Sequence, residues 1–220
     1  MEEDGKIISP SMAVLAVVVT FIVSLFLGAA FFILFGYGVA MVFGELFLIV
    51  VPLGCMLYRG VDVRNYIGLE IRPRTILLGV ATGTILLTFN LIMSATIVAV
   101  FGVSEAVEET NNLIINMSGS PQGLLSVVVT LSLAGLCEEF TFRAFLQNAI
   151  SSKYSFGPAL LVSSLAFGFF HFDPQAVYMV LAFLMGLLLG YIYHRWHSYV
   201  ISAVAHSTQN LIILALMLLI

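Results

Sequence analysis

The chain has 220 residues, of which 61% are hydrophobic and only 9% are charged. Ordinary soluble domains carry roughly 25% charged residues, and so few polar groups cannot cover the surface of a water-soluble globule. The net charge of −4, with eight Lys and Arg residues, excludes the basic surface of a nucleic-acid-binding protein. Cys55 and Cys137 form no Cys-x-x-Cys pair, so they indicate neither a disulfide framework nor a cysteine metal site.

Seven apolar segments predict membrane-spanning helices, because about 20 apolar residues cross a bilayer. The segments are 11–35, 38–58, 75–101, 121–150, 157–172, 175–193 and 198–220. The first is too long for the core of a signal peptide, so we expect it to be retained. The fifth is short for a full span, and we expect its far end to stop inside the protein. The prediction is an all-α polytopic membrane helix bundle in one domain, residues 1–220.

Two of these segments begin with a capping side chain followed by proline. Ser120-Pro121 and Asp173-Pro174 each place a hydrogen-bond acceptor before a residue that has no N–H to satisfy. The pattern predicts helices that begin at Pro121 and Pro174.

The basic residues predict the orientation in the membrane. Four of them lie between the second and third segments, namely Arg59, Arg64, Arg72 and Arg74. By the positive-inside rule this loop faces the cytoplasm, and seven spans then place Lys6, Lys153 and Arg195 on the same side. Loop 103–120 has three Glu residues and no Lys or Arg, so it falls outside. We expect the N-terminus in the cytoplasm and the C-terminus outside.

The fourth segment carries three charges, Glu138, Glu139 and Arg143. Near the bilayer centre they would cost roughly 8–10 kcal/mol, whereas the eight Leu and Val residues of 124–136 return only about 2.5–5 kcal/mol. The charges must therefore face the protein interior or a water-filled cavity. A structural ion pair is one interpretation, but intramembrane ionisable residues favour a functional site.

Spacing separates the roles of these charges. Glu139 and Arg143 are four residues apart and share a helix face, so they can pair. Glu138 lies about 100° around the helix from Glu139 and has no cation of its own. A carboxylate of that kind in a low-dielectric site accepts a proton near neutral pH, as a general base must. Cys137 points elsewhere, and no serine or cysteine nucleophile with a neighbouring base is evident.

Three further polar residues lie at a comparable depth. His171 ends the fifth segment, and His206 and Asn210 are four residues apart in the seventh, so they project from one face. At 1.5 Å per residue, these residues and Glu138 lie about 12–21 Å from the same membrane face. We therefore expect them to converge. A lone His in a helix is usually a satisfied core residue, but two of them beside a helix with two acids favour a functional cluster. For Glu45 and Asn90, in the second and third segments, structural hydrogen bonding is favoured over cavity lining.

Such a cluster predicts peptide hydrolysis by an activated water. A water held between Glu138 and His171 would lose a proton to the carboxylate and attack a carbonyl carbon. His206 and Asn210 would donate hydrogen bonds to the developing oxyanion in a water-poor cavity, where such bonds are strongest.

The three motifs, in this order, resemble the CPBP intramembrane protease family, which groups the type II CAAX prenyl endopeptidases with bacteriocin-processing and abortive-infection-type proteins. The motifs are Glu138-Glu139-x-x-x-Arg143, Phe167-x-x-x-His171 and His206-x-x-x-Asn210. They lie in 121–220, which we expect to be a catalytic four-helix core, after three N-terminal helices in 11–120.

The resemblance implies a membrane-embedded peptidase. No cofactor is expected, because the HExxH helix of zinc peptidases is absent and Asn210 suits an oxyanion donor better than a zinc ligand. It implies that Glu138 activates water with help from His171, that His206 and Asn210 stabilise the oxyanion, and that Glu139 and Arg143 support the site. The expected partners are the bilayer and a membrane-associated peptide or lipidated protein. Two features depart from the family pattern: the interval between His171 and His206 is short, and seven spans are predicted where eukaryotic CAAX enzymes have eight. Both argue against prenylated-protein substrates more than against proteolysis itself.

Other interpretations stay open. Glu138, His171 and His206 could together hold a catalytic zinc ion, although a Glu138 bound to zinc could not serve as the base. Clusters of Glu and His also relay protons in proton-coupled secondary transporters, but no repeated halves with broken helices are evident. A non-catalytic membrane immunity or scaffold protein is a third possibility.

Overall fold

The structure is a computed structural model that describes residues 7–219, which contain helices and no strand. In chain order the α-helices are α1 (Pro10–Phe35), α2 (Tyr37–Tyr58), α3 (Val63–Tyr66), α4 (Pro73–Phe101), α5 (Glu105–Ser118), α6 (Pro121–Glu138), α7 (Asn148–Ser151), α8 (Phe156–Phe170), α9 (Val177–Trp196) and α10 (Tyr199–Leu219). A π-helix, Glu139–Gln147, joins α6 to α7. The acidic N-terminus and Lys6 lie outside the described residues.

The predicted all-α membrane bundle is confirmed. Within residues 7–219, six helical stretches are long and apolar enough to cross a membrane: α1, α2, α4, the continuous run Pro121–Ser151, α9 and α10. The remaining apolar helix, α8, has 15 residues, in line with the short fifth segment of the sequence. The chain is an integral multi-pass membrane protein.

Two local predictions are wrong. Loop 103–120 contains helix α5, which the acidic residues Glu105 and Glu108 in its first turn favour through the helix dipole. Asp173 does not cap a helix that starts at Pro174, because Ala176 adopts a left-handed conformation (φ 58°) and α9 begins at the next residue. Asp173 instead accepts hydrogen bonds across this turn from the backbone N–H groups of Gln175 and Tyr178. The cap at Ser120 is confirmed, since its hydroxyl accepts from the N–H of Gly123.

The π-helix places the charged motif in the centre of the bundle. All nine of its residues are buried, and the neighbouring Cys137 and Glu138 are buried as well. A π-helix closes its hydrogen bonds five residues apart and is often found at functional sites. Within it Glu139 and Arg143 lie on one face, and both side chains are fully buried.

Helix α10 packs against both α4 and α6. At the α6–α10 crossing, a Cβ on Gly135 would collide with the backbone nitrogen and hydroxyl of Ser207. The missing side chain therefore allows the two helix backbones to approach closely. The hydroxyl of Ser207 also donates to the carbonyl of Ser132 (2.9 Å). This close crossing brings the motif of α10 beside the motif of α6.

The two ends of the bundle differ in charge. At one end, the chain between α2 and α4 carries Arg59, Arg64 and Arg72, and Arg74 follows in the first turn of α4. This segment contacts the start of α7 and the start of α10. The amide of Asn148 donates to the carbonyl of Tyr66 (2.6 Å), and the N–H of Tyr199 donates to the carbonyl of Ile67 (3.2 Å). At the other end, the acidic N-terminus of α5 contacts the α8–α9 loop through Ser104 and Asp173. The basic loops thus meet at one face of the bundle.

Candidate active site

Glu138 lies between two histidines that come from different helices. Its Oε1 atom is 3.8 Å from Nε2 of His171, and its Oε2 atom is 3.6 Å from Nε2 of His206. The three side chains are 9–17% exposed, so the cluster is nearly enclosed. Both separations exceed a direct hydrogen bond and suit groups that share a bridging molecule. The predicted convergence of these three residues is confirmed.

His171 follows directly after α8, and a backbone contact fixes its ring. Its Nδ1 atom lies 2.8 Å from the carbonyl oxygen of Phe167. A carbonyl only accepts hydrogen bonds, so Nδ1 carries the proton and, in the neutral ring, Nε2 faces Glu138 with its lone pair. The rings of Phe167 and Tyr178 pack on either side, with centroids 4.6 Å and 5.2 Å from that of His171.

Glu139 contacts two partners beneath Glu138. Its Oε1 atom forms an ion pair with Nη1 of Arg143 (2.9 Å), and both side chains are fully buried. The same oxygen accepts from Nδ1 of His206 (3.2 Å), a contact that the sequence did not predict. Since a carboxylate only accepts, His206 carries a proton on Nδ1 and directs Nε2 toward Glu138. Glu139 therefore orients the histidine as well as pairing with the arginine.

Arg143 is held by three elements. Besides its ion pair with Glu139, it donates from Nη2 to the carbonyl of Gly186 in α9 (3.3 Å). Its guanidinium carbon lies 4.2 Å from the ring centroid of Phe167 in α8, within cation–π range. Phe167 thus contacts both Arg143 and His171. The one sequence feature that could have predicted this role is its position four residues before His171.

Asn210 lies one turn after His206 on α10, as predicted. Its Nδ2 atom lies 3.5 Å from the carbonyl oxygen of Leu131 in α6, the limit of a hydrogen bond. This contact turns the amide toward α6, and its oxyanion role remains a prediction.

The loop after His171 is fixed by Asp173. The carboxylate accepts from the hydroxyl of Ser104 (2.5 Å) and from two backbone N–H groups. Burial raises the pKa of Asp173, but the hydrogen bonds from Ser104 and from the backbone of Tyr178, Gln175 and Val177 outweigh burial and leave this pKa below its usual value. The ionised carboxylate therefore anchors the loop to α5.

The predicted structural hydrogen bonding of Glu45 is not observed. Its Oε2 atom is buried and has no hydrogen-bond partner among residues 7–219, so the structure does not support structural hydrogen bonding there. Glu45 lies within Coulombic range of Glu138. The feature of the sequence that could have drawn attention to Glu45 is that it is the single charged residue of the second apolar segment.

Glu138, His171 and His206 are the side chains that would hold a metal ion, and the metal-free mechanism stays a prediction. Within the part of the chain that the structure describes, no three His, Cys, Asp or Glu side chains are arranged to hold one. Oε1 of Glu138 faces His171 and its Oε2 faces His206, so the two imidazoles approach different oxygens.

Comparison with known proteins shows similarity to one family of membrane proteins. Residues 120–212 match the model of the family described as Type II CAAX prenyl endopeptidase Rce1-like, and all three motifs lie within this range. The match confirms the resemblance to the CPBP family of intramembrane proteases.

Over 119 residues the chain is 27% identical to the Bacillus subtilis (strain 168) protein named "Putative membrane peptidase YdiL". This match covers 54% of the chain and 47% of that protein, so the chain matches about half the length of this relative. No solved structure matches the chain.

Proposed function

We propose that the protein is an intramembrane endopeptidase in which Glu138 activates water. The observation that carries this proposal is the Glu138 carboxylate, nearly enclosed and flanked by Nε2 of His171 and Nε2 of His206 at 3.8 Å and 3.6 Å. Buried ionisable groups that converge inside a membrane mark a functional site. Similarity to membrane proteases supports hydrolysis as the chemistry.

The proposed first step forms the carbon–oxygen bond. A water bridges Glu138 and His171 and donates one hydrogen to the carboxylate and the other to Nε2 of His171. As the water oxygen attacks the peptide carbonyl, its proton passes to Glu138. The protonated Glu138 then gives this proton to the amide nitrogen as the carbon–nitrogen bond breaks, so that the carboxylate is regenerated.

The oxyanion forms on the side of α10. A protonated Nε2 of His206 and the amide of Asn210 donate to it, and Glu139 holds the His206 ring through Nδ1 (3.2 Å). Removing one donor of this kind typically lowers the rate about 100-fold to 1,000-fold. No cofactor or metal takes part in this mechanism.

The proposed substrate is a membrane-associated peptide or a lipidated protein of the CAAX prenyl type, which reaches the site from the bilayer. The basic end of the bundle faces the cytoplasm under the positive-inside rule. This orientation places the N-terminus in the cytoplasm and the C-terminus outside.

Reconstitution in liposomes tests this function. The purified chain is incubated with a farnesylated CAAX peptide and with an unprenylated membrane peptide, and products are identified by mass spectrometry. We expect cleavage of at least the lipidated peptide. Glu138→Gln should lower turnover at least 1,000-fold without loss of folded protein, given the size of general-base and positioning effects. Glu108→Gln on the exposed side of α5 is the matched control and should retain wild-type turnover.

The same liposomes separate the alternatives. Near wild-type turnover in Glu138→Gln would show that Glu138 is not the base. Proton-coupled solute uptake without cleavage would identify a transporter, and neither activity would identify a scaffold.

A further inference from the structure

Glu45 is a partly buried acid that the proposed mechanism does not use. It is the single charged residue of α2, and its Oε2 atom has neither solvent access nor a hydrogen-bond partner in the described chain. An isolated carboxylate in a low-dielectric environment is costly, and such a group is stable as the neutral acid. A neutral carboxylic acid at position 45 therefore calls for a functional explanation.

The packing of α2 places Glu45 level with Glu138. The two helices run parallel: Gly38 lies against Ser126, and further along Thr141 donates to the carbonyl of Leu48 (2.9 Å). Glu45 is three residues before Leu48, and Glu138 is three residues before Thr141. The backbone of Glu45 is therefore about 4.5 Å along α2 from this hydrogen bond, and that of Glu138 is the same number of residues from it.

Electrostatics agrees with this register. Glu45 interacts with the charge of Glu138. The thiol of Cys137 and the phenol of Tyr178 each interact with both acids. Tyr178 also packs on the ring of His171. Glu45 therefore belongs to the same intramembrane cluster of ionisable groups as Glu138.

The groups that face Glu45 offer it no free cation. The main contacts of α2 are with α1, α6 and the π-helix. Helix α1 has no titratable side chain. The other two contribute Cys137, Glu138, Glu139 and Arg143, and the arginine pairs with Glu139 (2.9 Å). The protonated Nε2 of His206, proposed above as the oxyanion donor, lies 3.6 Å from Oε2 of Glu138. A shared negative charge is therefore more stable on Glu138 than on Glu45.

We infer that Glu45 is a positioning residue for the base Glu138. Glu45 is a neutral carboxylic acid, and Glu138 is the ionised member of this carboxyl pair. The ionisation of Glu45 at high pH then sets the alkaline limit of catalysis. The second half of this inference rests on the proposed peptidase function. When Glu45 loses its proton to solvent at high pH, the carboxylates of Glu45 and Glu138 are two negative charges at the same depth in the bundle. The second charge opposes the developing oxyanion, so the rate falls.

Infrared spectroscopy tests the pair without any substrate. The C=O stretch of a protonated carboxylic acid is compared at pH 7 in detergent micelles for the wild type, Glu45→Gln and the surface control Glu108→Gln. We expect the band in the wild type and in the control and its loss in Glu45→Gln. In Glu138→Gln the same band should titrate at lower pH, because the neighbouring charge is gone. Absence of the band in the wild type at pH 7, or an unchanged titration in Glu138→Gln, would overturn the inference.

The pH dependence of kcat/KM tests its catalytic consequence. The alkaline limb should move upward by about one pH unit or more in Glu45→Gln and stay in place in Glu108→Gln. An unchanged limb in Glu45→Gln would refute the catalytic role. If Glu45→Gln does not fold, Glu45→Asp keeps the acid and should retain the infrared band with a displaced alkaline limb. A chain that shows the band but cleaves nothing would disprove the peptidase function and leave the carboxyl pair standing.

Discussion

Replacing Arg143 with Met tests whether the ion pair under the site holds the bundle together. The arginine and Glu139 are both fully buried and 2.9 Å apart, so Arg143→Met leaves a negative charge in the protein interior. Breaking a buried pair in this way typically costs about 3–5 kcal/mol. The lost hydrogen bond to Gly186 and the lost cation–π contact with Phe167 are part of this cost. We therefore expect Arg143→Met to lower the free energy of unfolding by about 3–5 kcal/mol.

The assay is equilibrium unfolding in detergent micelles by titration with a denaturing detergent. The double variant Glu139→Gln/Arg143→Met leaves no buried charge and should be more stable than Arg143→Met alone. The matched control is Arg72→Met, whose ion pair with Glu70 is largely exposed and should contribute at most about 1 kcal/mol. An Arg143→Met protein within about 1 kcal/mol of wild type, or a double variant whose loss is the sum of the single losses, would refute the reasoning.

Three further predictions concern the loop, the metal and the orientation. The pKa of Asp173 is lowered by folding, so its contribution to stability is present above its unfolded pKa of about 3.9 and is lost as pH falls through the folded value. The unfolding temperature of Asp173→Asn should thus drop less between pH 7 and pH 3 than that of wild type, and equal drops would contradict this. Metal-stripped enzyme should keep its activity in detergent, and restoration of lost activity by stoichiometric zinc would disprove the metal-free mechanism. In a cysteine-free background, Glu108→Cys should be labelled from outside and Arg64→Cys only after permeabilisation, and labelling of both from one side would overturn the topology.

The sequence predicted much of the site because hydropathy and helix geometry act locally. The apolar segments match the observed helices to within a few residues, since the bilayer requires long apolar runs whatever their partners. The same physics made Glu138, Glu139 and Arg143 conspicuous, because charges in such a run need a protein interior. Equal depth along separate helices was enough to predict that His171 and His206 approach Glu138.

What the sequence could not determine depends on contacts between helices. The π-helix has no propensity signal and forms where packing against several neighbours fixes the backbone. The hydrogen bond between Glu139 and His206 depends on the close α6–α10 crossing at Gly135. Glu45 is one charged residue in an apolar segment, and no local pattern gives its partner. Only the parallel packing of α2 against α6, set by side chains far apart in the chain, places it level with Glu138.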